Sequence, residues 1–186
     1  WTLAGARCSN GATTKRARTR ARWKTACSTS TSGTGANWPW TAERSAIGGS
    51  LNELLTGRLR LRASDPALAS AVVDYLLRNR EPHAPWNPPM AAALFGIDGQ
   101  REHLRAAALA EAAGTQIGWF LEFRVGRARG VIGHVRLSQI TRGPFHNAML
   151  GYAIDAAHEG RGLMREALGA VLADAFSPRV GLHRVQ

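Results

Sequence analysis

The sequence predicts an α/β fold, strands flanked by helices, and three observations predict it. Arg58 to Ala63, RLRLRA, alternates strictly between arginine and an apolar residue, the period-two pattern of a half-buried strand. Two apolar runs, 115–125 and 131–138, flank the glycine-containing turn Gly126-Arg127-Ala128-Arg129-Gly130 and read as a β-hairpin. Last, the apolar run Met149 to Ile154 passes through a glycine-spaced loop into a stretch with Leu163, Ala167, Leu168 and Val171 at helical spacing, which is strand, loop, helix.

The length of 186 residues allows one domain of ordinary size, and an apolar fraction of 45% fits a soluble globular protein. No apolar run approaches the ~20 residues that span a bilayer, so no membrane partner is expected. The net charge of +11 suggests nucleic acid until it is divided. Residues 1–50 hold eight Lys or Arg against one acid, a net +7; residues 51–186 hold sixteen Arg against twelve acids, a net +4. The first fifty residues are rich in Thr, Ser, Ala, Gly and Arg, lack periodicity, and contain the basic run Lys15 to Lys24. They are read as a disordered basic tail, with a nucleic-acid-binding arm as the alternative. They carry no apolar h-region of a signal peptide. The chain starts at Trp1, and non-native upstream sequence would account for that composition. Cys8 and Cys27 lie in this tail with no histidine nearby, a spacing that gives neither a zinc site nor a disulfide framework. Residues 51–186 have no cysteine, which is compatible with the cytoplasm. They are taken as the folded domain.

Within that domain Leu59 and Leu61 are expected to face the core, and the intervening arginines to face solvent or an acidic partner. Ser64-Asp65-Pro66 opens a helix, with a capping side chain and then a proline. Leu68, Val72, Tyr75 and Leu76 are its apolar stripe, and it should end near Asn79. Arg80 to Pro89 is proline-rich and excluded as a helix interior. A second helix is expected over Gln100 to Ala113, with Leu104, Ala108 and Leu109 inward and Gly114 closing it. After the hairpin, Gln139 to Asn147 forms a longer connection to the fourth strand. Ser177-Pro178 ends the following helix, and Leu182 to Gln186 starts a fifth strand.

The loop Glu159-Gly160-Arg161-Gly162 stands where that last long helix begins. The first helical turn leaves backbone N–H groups without partners, the helix dipole adds partial positive charge, and glycine lets a bulky anion approach. The loop is therefore a candidate pyrophosphate cradle, weighed against a plain turn. No Gly-Lys-Ser/Thr follows, so it is not a Walker site. Arg165 stands where a Rossmann loop would need its third glycine.

The run Arg142 to Leu168, RGPFHNAMLGYAIDAAHEGRGLMREAL, resembles the acetyl-CoA-binding core of the GNAT superfamily of N-acetyltransferases. Within that superfamily it is most similar to the bacterial ribosomal-protein-alanine N-acetyltransferases. The resemblance is carried by Arg142-Gly143-Pro144-Phe145, by Leu150-Gly151-Tyr152 with Ile154-Asp155, and by Glu159-Gly160 with Gly162-Leu163-Met164. It extends upstream to about Leu51 through Thr56 to Arg62 and Ala84-Pro85-Trp86. The superfamily loop usually opens with Gln or Arg three residues before its first glycine, where this chain has Ala157.

The resemblance implies a mixed, largely antiparallel sheet whose fourth and fifth strands splay apart at the cofactor, incomplete at its C-terminal end. It implies acetyl transfer from acetyl-CoA to a primary amine, the N-terminal amine of a ribosomal protein, by a cytoplasmic enzyme. A small-molecule amine is the alternative acceptor, and a non-catalytic nucleic-acid-binding protein the alternative class. The backbone of Tyr152, Ala153 and Ile154 would pair with the pantetheine arm. The N–H groups of Glu159, Gly160, Arg161, Gly162, Leu163 and Met164 would hold the pyrophosphate, with the Arg161 side chain either on a phosphate or in solvent. Trp86 would line the acceptor pocket, unless it packs beneath its loop as a core anchor. Glu122 and His134, on the central hairpin, are the candidate bases; a lone strand histidine is more often a structural residue.

Overall fold

A computed structural model describes residues 53–125 and 130–186. The basic run, both cysteines and residues 126–129 of the hairpin turn lie outside the described residues. The sheet has six strands in sequence order: β1 (Leu54–Leu55), β2 (Leu59–Ala63), β3 (Ile117–Phe123), β4 (Gly133–Thr141), β5 (Asn147–Ile154) and β6 (Arg184–Val185). Every neighbouring pair is antiparallel except β5 and β6, which run parallel. Four α-helices accompany it: α1 (Ala69–Arg78), α2 (Arg80–His83), α3 (Ile97–Ala112) and α4 (Leu163–Ala175).

Alternation divides the side chains between two cores. Leu59, Leu61, Trp119, Leu121, Val135 and Leu137 pack with Leu163, Ala167 and Val171 of α4 on one face. On the other, Phe120 and Val131 meet Val72 and Tyr75 of α1 and Leu104 of α3. Each fully buried side chain of this size contributes about 1.5–3 kcal/mol. Two helices cover one face and one the other, so the sheet is buried from both sides through its middle strands.

The expected helix start is observed: the Asp65 carboxylate accepts from the Ala67 N–H at 2.8 Å, Pro66 opens a 3-10 turn, and α1 follows. Arg60 and Arg62 do not form a purely solvated face. Arg60 reaches both oxygens of Glu53, at 2.7 and 3.2 Å, and Arg62 reaches Glu122 at 3.3 Å.

Four expectations need correction. β1 was not expected; it is two residues long, too short for a period to register. The Arg80 to Pro89 segment contains the four-residue helix α2, because Pro82 falls within its first turn, where a proline's missing N–H costs nothing. Leu109 is 72% exposed rather than inward. It stands five residues, about 140° of helix rotation, from Leu104, while α3 buries Leu104 and Ala107. Finally β4 runs on to Thr141 through a register shift at Ser138 to Thr141, with Gln139 at φ +51°, so the connection to β5 is shorter than expected.

Candidate functional site

The loop between β5 and α4 is held at both ends. At its start, the Asp155 carboxylate accepts from the Ala157 N–H at 3.0 Å and from Arg78 at 3.0 and 3.1 Å. The Asn79 side chain, fully buried, accepts from the Ala156 N–H at 2.9 Å. At its far end, Glu166 in the first turn of α4 accepts from the Thr56 hydroxyl at 2.6 Å, the Arg58 N–H at 2.8 Å and the Arg58 guanidinium at 2.6 Å. Arg58 also donates to the Arg161 carbonyl at 3.0 Å. Burial alone would raise the pKa of either carboxylate. In Asp155 the Ala157 amide, Arg78 and Asn79 outweigh it, and in Glu166 Thr56 and Arg58 do, so both sit below the usual range.

Between these anchors Gly160 and Gly162 have φ of +70° and +71°, a left-handed backbone that costs an L-residue about 1–2 kcal/mol. A side chain at Gly160 would meet nothing within 4 Å, so the space in front of the loop is open. The first helical hydrogen bond of α4 runs from the Glu166 N–H to the Gly162 carbonyl. The amides of Leu163 and Met164 precede it and face outward at the positive end of the helix dipole.

The register of β5 decides which of its backbone groups serve the site. In an antiparallel ladder alternate residues exchange hydrogen bonds. Asp155 donates to Ile132 on the β4 side, whereas Leu150 donates to Gln186 and Ala148 accepts from Gln186 on the β6 side. By that parity Ala153, opposite His134, spends its N–H and C=O on β4. Tyr152 and Ile154 direct theirs to the outer edge. The expectation that all three residues offer backbone groups is thus corrected to two. The Ile154 carbonyl is already engaged, accepting from His83 Nε2 at 2.9 Å.

The loop, this strand edge and α2 enclose a cleft of about 440 Å³. It brings together Tyr152, Ala153, Ile154, Glu159, Gly160, Gly162, Leu163, Met164 and Trp86. Arg161 does not line it. Trp86 is 86% exposed at the cleft rim, which removes the alternative of a core anchor beneath the loop. Sequence reasoning missed His83, Asn87 and His158, which also line the cleft. His158 stands edge-on to Phe123 at 5.2 Å, with its Nδ1 buried and unpartnered. His83 was legible only as a polar residue between two prolines; its aim at Ile154 comes from the docking of α2.

A second cavity, about 240 Å³, lies on the α1–α3 face and shares His83 and Asn87 with the first. His134 lines it, edge-on to Tyr75 at 6.1 Å. Burial, then the charges of Arg136 and His83, push the His134 pKa down to about 4. Burial raises that of the Tyr75 hydroxyl. Glu122 lines neither cavity, and its carboxylate is paired with Arg62. Among the described residues no group of three or more His, Cys, Asp or Glu is placed to hold a metal, and no helix is long and apolar enough to cross a membrane.

Residues 58–186 match the acetyltransferase (GNAT) domain family. The chain is 31% identical over 119 residues to the [ribosomal protein uS5]-alanine N-acetyltransferase of Escherichia coli, an alignment covering 64% of this chain and 60% of that relative. It is 45% identical over 56 residues to the probable N-acetyltransferase YjcK of Bacillus subtilis, 30% of each chain. The chain thus spans less than two thirds of the length of these curated relatives. The crystal structure of ribosomal-protein-S5-alanine acetyltransferase from Vibrio fischeri superposes with a TM-score of 0.63 at 27% identity, covering 67% of both chains. The curled, mostly antiparallel sheet with its flanking helices is the fold of these enzymes. With the family model covering more than half of the sequence, the chain belongs to the GNAT family of N-acetyltransferases.

Proposed function

We propose that the domain transfers the acetyl group of acetyl-CoA to the N-terminal amine of a ribosomal protein. The observation that carries this reading is the cleft itself, in which a glycine loop at a helix N-terminus and the outer edge of β5 face the same space. The family supplies the donor class, and the Escherichia coli and Vibrio fischeri relatives suggest the acceptor.

When bound, acetyl-CoA supplies a thioester carbon open to nucleophilic attack. The amides of Gly162, Leu163 and Met164 would hold its pyrophosphate. The outward groups of Tyr152 and the Ile154 N–H would pair with the pantetheine arm, and one of these N–H groups would donate to the carbonyl oxygen as negative charge develops on it. His83 fixes the Ile154 peptide in that orientation. Trp86 at the rim would cover the acceptor backbone.

The titration of the site favours an α-amine. His134 lies outside the cleft, and with its pKa near 4 it is a poor store for an ammonium proton, so the acceptor amine has to supply its own neutral form. A terminal amine, with a pKa of about 8, is partly neutral at pH 7 without help, whereas a lysine at about 10.4 is not. After attack the amine's proton would leave through water, the C–S bond would break, and CoA would depart as its thiol.

Calorimetry with acetyl-CoA, followed by mass spectrometry of an alanine-initiated peptide after incubation, tests the reading. Saturable binding, with acetyl appearing on the terminal amine rather than on a lysine, is the expected result. A folded protein that takes up no acetyl-CoA would remove the cofactor assignment.

A further inference from the structure

The second cavity contains a charge that no carboxylate among the described residues answers. Arg136 projects from β4 into a cavity also lined by Val72, Leu76 and Phe120, and is half-buried. Among the described residues no oxygen accepts from its guanidinium, and no Asp or Glu lines the cavity. Burial alone lowers its pKa, with no acid opposing the effect. The other titratable groups lining the space are His83, His103 and His134, none of which can supply negative charge, and the Tyr75 phenol. Burial and then the Arg136 charge lower the pKa of His103, as both lower that of His134.

Tyr75 lines the same cavity, while its hydroxyl feels the charges of Asp155 and Arg78 rather than that of Arg136. The residue is 1% exposed, yet its hydroxyl is buried with no hydrogen-bond partner. A buried hydroxyl without a partner costs about 1–3 kcal/mol. Most other arginines of the sheet and its neighbouring helix contrast with Arg136: Arg58, Arg60, Arg62 and Arg78 each hold a carboxylate. Arg136 instead lines a cavity with no carboxylate in its wall, and a planar guanidinium in an apolar-walled space matches a carboxylate in bidentate geometry.

We propose that this cavity is a carboxylate-reading subsite, in which Arg136 holds a carboxylate carried by the acceptor itself. The proposal rests on the acetyl-transfer reading of the neighbouring cleft. A volume of about 240 Å³ admits one or two residues, so the carboxylate belongs to the same residue as the reactive amine or to the next one. His83 and Asn87 line both cavities, so a group anchored at Arg136 directs its amine past His83 toward the Ile154 amide. Two sources share this chemistry: the α-carboxylate of a free amino acid, and the side chain of an acidic residue at a peptide N-terminus.

The test is a binding titration on the full chain, followed through the ring resonances of His103 and His134. The probes are Ala-Asp-amide against Ala-Asn-amide, and free alanine against alanine amide. At least tenfold tighter binding of the acid in either pair supports the proposal, and the pair that shows it identifies the source. The preference should vanish in Arg136→Gln and survive in part in Arg136→Lys, whose ammonium keeps the charge but loses the fork. Equal binding of acid and amide in both pairs, or no binding by any of the four, overturns it, and so does a preference that persists in a folded Arg136→Gln protein. If that variant does not fold, the comparison on the unsubstituted protein decides. Acetyl-CoA binding is measured on the same samples. Its absence beside an intact acid preference would sink the transfer reading and leave the carboxylate site standing; the converse result would sink only the carboxylate site.

Discussion

Gly162 begins α4 at φ +71°, where alanine would have to adopt a left-handed backbone. Gly162→Ala should therefore lower unfolding stability by about 1–2 kcal/mol, read from chemical denaturation. Gly162→Val should in addition weaken acetyl-CoA binding in calorimetry, because its side chain would crowd the Arg58 guanidinium that anchors the loop at the Arg161 carbonyl. His134 gives a prediction of a different kind. Its folded pKa near 4 lies below the unfolded value of about 6.5, so between these pH values the unfolded chain binds more protons. The stability that its burial as a neutral ring permits is complete above pH 6.5 and declines as pH falls toward 4, by on the order of 3 kcal/mol. His134→Gln should flatten that part of the pH–stability curve; an unchanged slope would mean that the ring is not held neutral. At this scale the two glycines were legible because a turn into a helix needs a backbone that only glycine adopts freely. His83 and Arg136 were not. Their importance comes from what α2, α1 and α3 bring near them, and no local pattern encodes that.

The element that the site depends on is α4, and its first turn is tied to the β1–β2 connection by Glu166. Glu166→Ala removes three hydrogen bonds, one of them from the half-exposed Arg58 guanidinium, and should cost about 2 kcal/mol. Because the loop is positioned through this contact, acetyl-CoA affinity should fall as well, although Glu166 does not line the cleft. Glu166→Gln adds a pH signature. The folded pKa of Glu166 is depressed, so its contribution is present above the unfolded value of about 4.3 and is lost as pH falls through the folded one. In the Gln variant the acid loss below about pH 4 should be shallower, leaving the Asp155 contribution. A denaturation series from pH 3 to 6 on both proteins checks this. The strands, α1, α3 and α4 were legible because each repeats its apolar residues at its own period over at least five positions. β1 and α2 were not, since two and four residues hold only about one such period and leave no repeat to read. The cleft was half legible: the loop has a spacing to read, whereas the β5 edge depends on ladder parity, which placed Ala153 on the β4 side.

Across the whole molecule, the charge divides as the packing does. Both hydrophobic clusters are assembled from residues between Leu54 and Val185, and the family match begins at residue 58. The excess of +7 in residues 1–50 therefore sits upstream of every described core residue, while the remaining +4 is spread over a domain in which Arg58, Arg60, Arg62 and Arg78 hold carboxylates. Any salt-dependent attraction to nucleic acid should then belong to the first fifty residues, and acetyl-CoA binding to the rest. Deleting residues 1–50 should leave the unfolding midpoint and acetyl-CoA affinity within about twofold of the full chain. Nonspecific RNA binding, if the full chain shows any, should lose most of its dependence on salt concentration, because each phosphate contact contributes close to one unit to the logarithmic salt slope. Fluorescence anisotropy with a labelled RNA at several salt concentrations reads one property, and calorimetry reads the other. Loss of acetyl-CoA binding in a folded deletion variant would show that the first fifty residues take part in the cleft. Retained, steeply salt-dependent RNA binding would move the nucleic-acid surface onto the domain, where the Arg136 cavity would be the first place to look for it.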